Sequence, residues 1–357
     1  MMNAYETALR ALRFEEVDYV PVVLPLVGAI YARLAGIPDE EYYADPVTML
    51  DAQIWFYEQL PDVFTFPGIW PDFGAVAELG GMGAKIVFSK DAPPYLHDPI
   101  LNDVKDIASF QPPDPQKAEF TARNLEYLKY FCQNLPDKLR KKYGFLDGHL
   151  FCGGPGEIAA LILGYEKFFY GIYDFPELIH ELLRKVTDFI KAYLQAQMEI
   201  VGSPKRIYVW DHLPGMLNYQ IYAEFVHPYL YEVFEFVKEA EIRLYHNENN
   251  YPHLLDLISE IPCNVCHIGP KHNLLQTKTR LKKCVMGNLH PIVDLLQASE
   301  EELRHRCKTM IKTAGQGGGL WLSTAGGMAP ETTIEKIKII IDVANETYVR
   351  GITGYRR

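Results

Sequence analysis

The hydrophobic positions of this chain fall into short apolar runs, separated by longer segments in which apolar residues recur at helical spacing. A short apolar run between turn residues is typical of a buried strand, and recurrence every three or four residues is typical of an amphipathic helix. Eight runs stand out: YVPVVLP (19–25), DVFTF (62–66), GHLFC (148–152), RIYVWDH (206–212), EIRLYH (241–246), CNVCHI (263–268), KCVMGN (283–288) and GLWLST (319–324). Eight strands alternating with helices predict a TIM barrel.

Several segments between these runs carry explicit helix signals. Segment 177–200 has one apolar stripe, formed by Leu178, Leu182, Val186, Phe189, Ile190, Tyr193 and Leu194. Pro176 opens it at a position where the missing N–H costs nothing. Ser299 and Glu302 have capping-box spacing, and Gly315 fits the end of the same helix. Three prolines are each expected to begin a helix shortly after a strand: Pro252, Pro291 and Pro330.

Segment 70–145 is less regular and rich in proline and glycine. It is expected to add surface helices and a hairpin in GAVAELGGMGAKIVFSK (74–90) to the barrel. No repeat, low-complexity tract or linker interrupts the chain. The prediction is therefore an α/β protein with one domain over residues 1–357, a single (β/α)8 barrel with N-terminal helical and irregular additions.

Composition narrows the possible partners. The 357 residues are 48% hydrophobic and 23% charged, as in a globular protein, and the net charge is −11. Nucleic-acid binding requires a basic face, so a nucleic-acid partner is not expected. The basic cluster KHNLLQTKTRLKK (271–283) is expected to be a solvated helix or loop. GQGGGLW (315–321) precedes a strand, which favours a tight turn over a phosphate-binding loop.

The chain carries no signal that would direct it to a membrane or to export. No apolar run has the length of a membrane span, and MMNAYETALRALRFEE at the N-terminus contains acids where a signal peptide needs an apolar core. The protein is expected in the cytoplasm, with its six cysteines reduced. CNVCH (263–267) has the form of a c-type haem attachment motif, but that chemistry requires export, so a buried strand is the preferred interpretation.

Polar residues follow several of the predicted strands. The C-terminal ends of barrel strands carry the active site. There the chain places Asp211, His212, His246, Glu248, His267, Asn288, His290, Ser323 and Thr324. His246 and Glu248 are two residues apart and should share one face. Such a pair can hold a metal or transfer a proton, and it can also be a simple hydrogen-bonded pair.

Five segments, in order along the chain, resemble one known family. They are TALRALRFEEVDYVPVV (7–23), GGPGEIAALILGYEKFFYGIYDFPELIHELL (153–183), YAEFVHPYLYEVFEFV (222–237), VMGNLHP (285–291) and GLWLSTAGGMAPETTIEKI (319–337). With them the chain is similar to the uroporphyrinogen decarboxylase superfamily, and within it to the corrinoid-linked methyltransferase branch (methylcobalamin:thiol methyltransferase type). The resemblance implies a TIM barrel and an enzyme.

The resemblance implies two chemistries. The decarboxylases bind a highly carboxylated macrocycle and use an arginine-containing loop after the first strand. Here LPLVGAIYARLAGIPDEEYY (24–43) has Arg33 as its only arginine, among tyrosines and acids, which disfavours so anionic a substrate. The methyltransferases bind zinc through His-x-Cys and a later cysteine. His246 fills the first position, whereas Glu248 and Gly326 stand where the thiolates belong.

A histidine and a carboxylate can still bind zinc if a neighbouring strand end supplies one more ligand; Asp211, His290 and His267 are the candidates. Without a metal, His246 and Glu248 can act as a general acid–base pair. The expected function is transfer of a methyl group between a small methylated substrate, of methoxyl or methylamine type, and the corrinoid of a partner protein.

The expected residue roles follow from these positions. The catalytic residues are His246, Glu248 and Asp211, and the substrate-binding residues are His212, Asn288, His290, Ser323 and Thr324. Two alternatives stay open. One is decarboxylation of a carboxylated, tetrapyrrole-like substrate, and the other is a binding barrel without catalysis.

Overall fold

A computed structural model describes residues 3–26, 30–90, 92–329 and 331–349. All eight predicted strands are present in it, and a further short pair is added. The strands are β1 (Val23–Leu24), β2 (Phe64–Thr65), β3 (Ile86–Val87), β4 (Tyr95–Leu96), β5 (His149–Gly153), β6 (Arg206–Trp210), β7 (Ile242–Asn247), β8 (Val265–Ile268), β9 (Cys284–Leu289) and β10 (Leu320–Thr324).

Eight of the strands pair in parallel and in sequence order, whereas β3 and β4 form a separate antiparallel pair. Six of them, β5 to β10, pair with their chain neighbours, and β1 pairs with β2 in a separate parallel ladder. A parallel bridge between Val22 and Leu322 joins β1 to β10. The rings of Phe66 and His149 lie 5.5 Å apart, which brings the end of β2 next to β5. This α/β arrangement is consistent with a TIM barrel.

Helices connect the strands. The α-helices are α1 (Ala4–Leu12), α2 (Ile30–Ala35), α3 (Asp39–Ala44), α4 (Pro46–Gln59), α5 (Ala77–Gly81), α6 (Glu119–Asn134), α7 (Asp137–Tyr143), α8 (Pro155–Leu163), α9 (Tyr165–Asp174), α10 (Pro176–Val201), α11 (Tyr219–Ile221), α12 (His227–Phe236), α13 (Leu255–Glu260), α14 (Leu274–Leu281), α15 (Glu300–Ala314) and α16 (Ile334–Glu346). Short 3₁₀ turns cover Gly74–Val76, Val104–Ala108, Leu213–Met216 and Pro252–Leu254, and π-helical turns cover Tyr222–Val226 and Pro291–Gln297. None of the helices in these ranges has the length and apolar character that a membrane span requires.

Most of the helix signals in the sequence are confirmed. Pro176 starts α10, and its apolar stripe is buried except for the half-buried Leu178. The Ser299–Glu302 capping box is formed, and α15 ends at Gly315 in a right-handed rather than a left-handed conformation. Pro252 and Pro291 open a 3₁₀ turn and a π-helical turn, whereas Pro330 lies outside the described residues.

Two expectations need correction. The predicted hairpin within 74–90 is wrong, because Ala77–Gly81 is helical and the strand Ile86–Val87 pairs instead with Tyr95–Leu96. The basic cluster does contain a helix, α14, but it is not fully solvated. Lys278 is buried and its ammonium group donates to the carbonyls of Ala314, Gln316 and Gly318, which gives the end of α15 the donors it lacks.

The glycine turn before β10 is present as predicted. Gly317, Gly318 and Gly319 all have φ near +70°, where a side chain is strained. A Cβ on Gly318 would also meet the backbone of Phe14 at 2.9 Å. The turn therefore lets the N-terminal segment pack directly against the start of β10.

Glu78 is a buried carboxyl group between α5 and β5. Its Oε1 accepts the backbone N–H of Gly153 at 2.8 Å, and burial raises its pKa from 4.5 to about 7. Because the folded state holds this proton more tightly than the unfolded chain, stability falls as the pH rises from about 4.5 through 7.

We expect Glu78→Gln to remove this pH dependence, since the amide keeps the acceptor oxygen and has no charge to bury. Relative to the wild type, the variant should gain about 3 kcal/mol between pH 4.5 and pH 8. Urea unfolding at both pH values measures the difference. An unchanged wild-type pH dependence in the variant would show that Glu78 is not its source.

Candidate functional site

Three adjacent strands position the candidate site. In the register of the sheet, Trp210 of β6 pairs with His246 of β7, and His246 pairs with His267 of β8. Paired residues of parallel strands point to the same face, so these side chains form one row. His212 and Glu248 follow the ends of β6 and β7 by one or two residues. The sheet register thus brings polar groups from three strand ends together.

His212, His246 and Glu248 form one compact group of potential ligands. One ligand atom from each lies within 4.8 Å of the others. His212 Nε2 is 4.0 Å from Glu248 Oε1, and the rings of His212 and His246 meet edge to face with centroids 5.2 Å apart. The sequence placed His246 and Glu248 together, and the structure does the same. It adds His212, for which the sequence predicts a role in substrate binding.

His246 is held rigidly from two sides. Its ring stacks on Tyr208 with centroids 5.4 Å apart, and Tyr208 in turn stacks on Phe151. On the other side, His246 Nδ1 lies 2.6 Å from Nδ1 of His267. The Nε2 of His267 lies 2.8 Å from the carbonyl oxygen of Thr324. Aromatic stacking and a hydrogen bond together leave His246 little rotational freedom.

Burial keeps both histidines of this pair neutral. Burial, with the neighbouring His267 and His212, holds the pKa of His246 well below 6.5. Burial lowers the pKa of His267 to about 4, against a smaller opposing effect of its bond to Thr324. A neutral imidazole has one unprotonated ring nitrogen, and the lone pair of that nitrogen can bind a metal.

Glu248 occupies the space next to Gly326. A Cβ built on Gly326 would overlap Oε2 of Glu248. The carboxylate therefore lies where a side chain at position 326 would be. According to the family resemblance, positions 248 and 326 would both be cysteine. In this chain the Glu248 side chain fills the space beside the glycine at 326, so the residues at these two positions are sterically coupled.

Asp211, which the sequence predicts to be catalytic, lies apart from this group. Strand alternation turns it away from the face that carries Trp210 and His212. Its carboxyl carbon lies 2.6 Å from the point where a Cβ on Gly154 would be, and the side chain is fully buried. Burial and the nearby Glu157 raise the pKa of Asp211 well above 3.8. Asp211 therefore faces the layer between the sheet and the helices.

Three of the predicted substrate-binding residues make structural hydrogen bonds. The amide of Asn288 donates to the carbonyls of Gly269 and His272, and Nδ1 of His290 accepts the backbone N–H groups of Ile292 and Val293. The hydroxyl of Thr324 donates to the Gly326 carbonyl. Ser323 is different, because it is fully buried and its hydroxyl has no partner within the described part of the chain.

Neither His267 nor His290, proposed as third ligands from the sequence, fills that position. His267 is occupied by His246 and Thr324, and His290 caps the turn that follows β9. His212 is the residue that lies close to both His246 and Glu248. Its Nε2 is covered from solvent and makes no hydrogen bond to any described residue. A covered nitrogen without a partner, beside a second imidazole and a carboxylate, fits a divalent metal such as zinc.

Glu157 is a residue of this region that the sequence analysis missed. Its Oε2 accepts the backbone N–H of His212 at 3.1 Å, and its Oε1 accepts the hydroxyl of Tyr165. It thereby fixes the backbone from which His212 projects. A signal was available, because Glu157 is the one charged residue in the otherwise apolar helix PGEIAALIL and is buried there.

The arginine after the first strand is already paired. Arg33 on α2 lies 3.0 Å from the buried carboxylate of Asp39. Since residues 24–43 contain no other arginine, this segment offers little positive charge to a polycarboxylate.

Comparison with known proteins matches nearly the whole chain to one family. The family model described as "Uroporphyrinogen decarboxylase (URO-D)" matches residues 3–347. A uroporphyrinogen decarboxylase of Nostoc punctiforme is 26% identical over 356 residues, covering 96% of this chain and 97% of that protein. One of Carboxydothermus hydrogenoformans is 27% identical over 278 residues, covering 75% of each.

A solved structure shares the fold. A methyltransferase from Methanosarcina mazei superimposes with a TM-score of 0.79 at 19% identity, covering 97% of this chain and 99% of that chain. At this identity the likeness concerns the fold alone.

Proposed function

Because the chain belongs to the uroporphyrinogen decarboxylase family, we propose that it is a methyltransferase of that superfamily, which moves a methyl group between a small methylated substrate and a corrinoid protein. The observation that carries this proposal is the group formed by His212, His246 and Glu248 at adjacent strand ends. It lies where the resemblance implies the zinc site of the methyltransferase branch.

The three residues would hold zinc through two imidazole nitrogens and one carboxylate oxygen. When bound, zinc supplies a Lewis acid that polarises the heteroatom bearing the methyl group. His246 is oriented by its stacking on Tyr208 and its bond to His267. Glu248 is more exposed than His246, so a substrate would reach the group from its side. The corrinoid of the partner protein is the second reactant.

The second candidate is decarboxylation of a carboxylated substrate. It is supported by the Nostoc and Carboxydothermus relatives, both of which are named as decarboxylases. The pairing of Arg33 with Asp39 opposes it, because a polyanionic substrate needs unpaired cations near the mouth.

An activity assay separates these candidates. The purified protein is mixed with cob(I)alamin and a panel of methoxylated aromatics and methylamines, and methylcobalamin formation is followed by absorbance. We expect turnover with at least one donor and none with uroporphyrinogen or partly decarboxylated tetrapyrroles. Turnover of a tetrapyrrole without methyl transfer would establish the second candidate, and binding without any turnover would point to a barrel without catalysis.

We expect the wild-type protein to bind one Zn²⁺ or Co²⁺ and His246→Ala to bind it at least about 10-fold more weakly, since a ligand is lost. Isothermal titration after chelator treatment measures the affinity. His305→Ala, which removes an exposed histidine of α15, is the matched control and should bind as the wild type does. Equal affinities of all three proteins would remove the metal from the proposal.

Gly326→Ala tests the coupling between Gly326 and Glu248. The added methyl group would displace the Glu248 carboxylate, so we expect metal affinity to fall by about 10- to 100-fold. Gly327→Ala is the control, because a Cβ there meets no atom within 4 Å. If displacement is the cause, Gly326→Ala should have little further effect in a Glu248→Ala background. Additive losses would contradict this explanation.

A further inference from the structure

We propose that His267 is a positioning residue that holds His246 in the tautomer protonated at Nδ1, so that Nε2 of His246 keeps its lone pair. The geometry that points to this is the chain of contacts from the Thr324 carbonyl through His267 to His246. The use of that lone pair rests on the proposed function, whereas the tautomer itself does not.

His267 carries its ring proton on Nε2, as its contact with Thr324 shows. The atom facing its Nε2, at 2.8 Å, is the carbonyl oxygen of Thr324. A carbonyl oxygen only accepts hydrogen bonds, so Nε2 of His267 must carry the proton. In a neutral imidazole the other nitrogen then has no proton. Nδ1 of His267 is therefore an acceptor.

The contact between the His246 and His267 rings shows which of them donates. The two Nδ1 atoms lie 2.6 Å apart, and this distance requires a proton between them. If that proton belonged to His267, the ring would be an imidazolium, buried beside two further histidines. The protein offers it no compensating carboxylate among the contacts of the His267 ring in the described chain. The proton therefore belongs to His246, which donates to His267.

The tautomer of His246 decides which of its ring nitrogens can accept a proton or bind a metal. Since Nδ1 is engaged with His267, Nε2 is the nitrogen of His246 left with a lone pair, and so the one that can serve the group formed with His212 and Glu248. The opposite tautomer would place an N–H there and remove the ligand or base. An outer partner of this kind commonly contributes about 10- to 100-fold to metal affinity.

NMR of metal-free protein labelled with ¹⁵N-histidine tests the tautomer directly. Long-range ¹H–¹⁵N correlations distinguish protonated from bare ring nitrogens, and His246→Gln identifies the His246 signals. In the wild type we expect His246 protonated at Nδ1 and His267 protonated at Nε2. Protonation of His246 at Nε2 instead would overturn the proposal.

Variants at position 267 extend the test. In His267→Asn the side-chain oxygen can still accept from His246 Nδ1, so the tautomer should persist. In His267→Phe the acceptor is gone, and we expect His246 to populate the Nε2-protonated form. His149→Phe is the control, because His149 is also fully buried but has no described contact with His246. An unchanged His246 tautomer in His267→Phe would also overturn the proposal.

These outcomes are independent of the proposed function. The spectra are recorded without metal or substrate, so a protein that binds no metal can still show the predicted tautomer. Conversely, a metal-binding protein whose His246 is protonated at Nε2 would keep the proposed function and lose this inference. If His267→Phe does not fold, the wild-type and His267→Asn spectra still decide the question.

Discussion

The register of the parallel sheet is the constraint on which the site depends. Pairing of β6, β7 and β8 sets Trp210, His246 and His267 in one row across three strands. A shift of one residue would turn each of these side chains to the opposite face of the sheet. The same alternation that brings His246 to His267 sends Asp211 into the layer beneath the helices. The hydrogen bonds of the backbone thus decide which polar residues can meet.

Two hydrogen bonds and one ring contact hold the residues around this row in place. Glu157 accepts the His212 backbone, Thr324 accepts from His267, and Tyr208 lies flat against His246. A buried polar group without a partner costs about 1–3 kcal/mol. The two hydrogen bonds therefore restrict the conformations open to His212 and His267. The site is consequently built at and just beyond the ends of paired strands, and placement on such regular elements favours a fixed geometry of reactive groups.

The close contact between Glu248 and Gly326 links two residues that are far apart in the sequence. A carboxylate at 248 needs the space that a side chain at 326 would fill. A carboxylate is a harder ligand than the thiolate that the resemblance implies at position 248, and harder ligands suit other metals and substrates. One fold can carry several chemistries, since function depends on the side chains of the site and not on the fold.

The sequence by itself determined the eight parallel strands, the long helix α10, the capping box at Ser299 and the placement of Glu248 near His246. Each of these depends on spacing within a few residues, so local periodicity and cap chemistry are sufficient. Only the tertiary structure decided that His212 joins this pair, that Asp211 leaves it, and that His267 and Gly326 lie against it. These relations join residues that are far apart along the chain. They follow from strand register and from the packing of the segments beyond the strand ends, which no local pattern encodes.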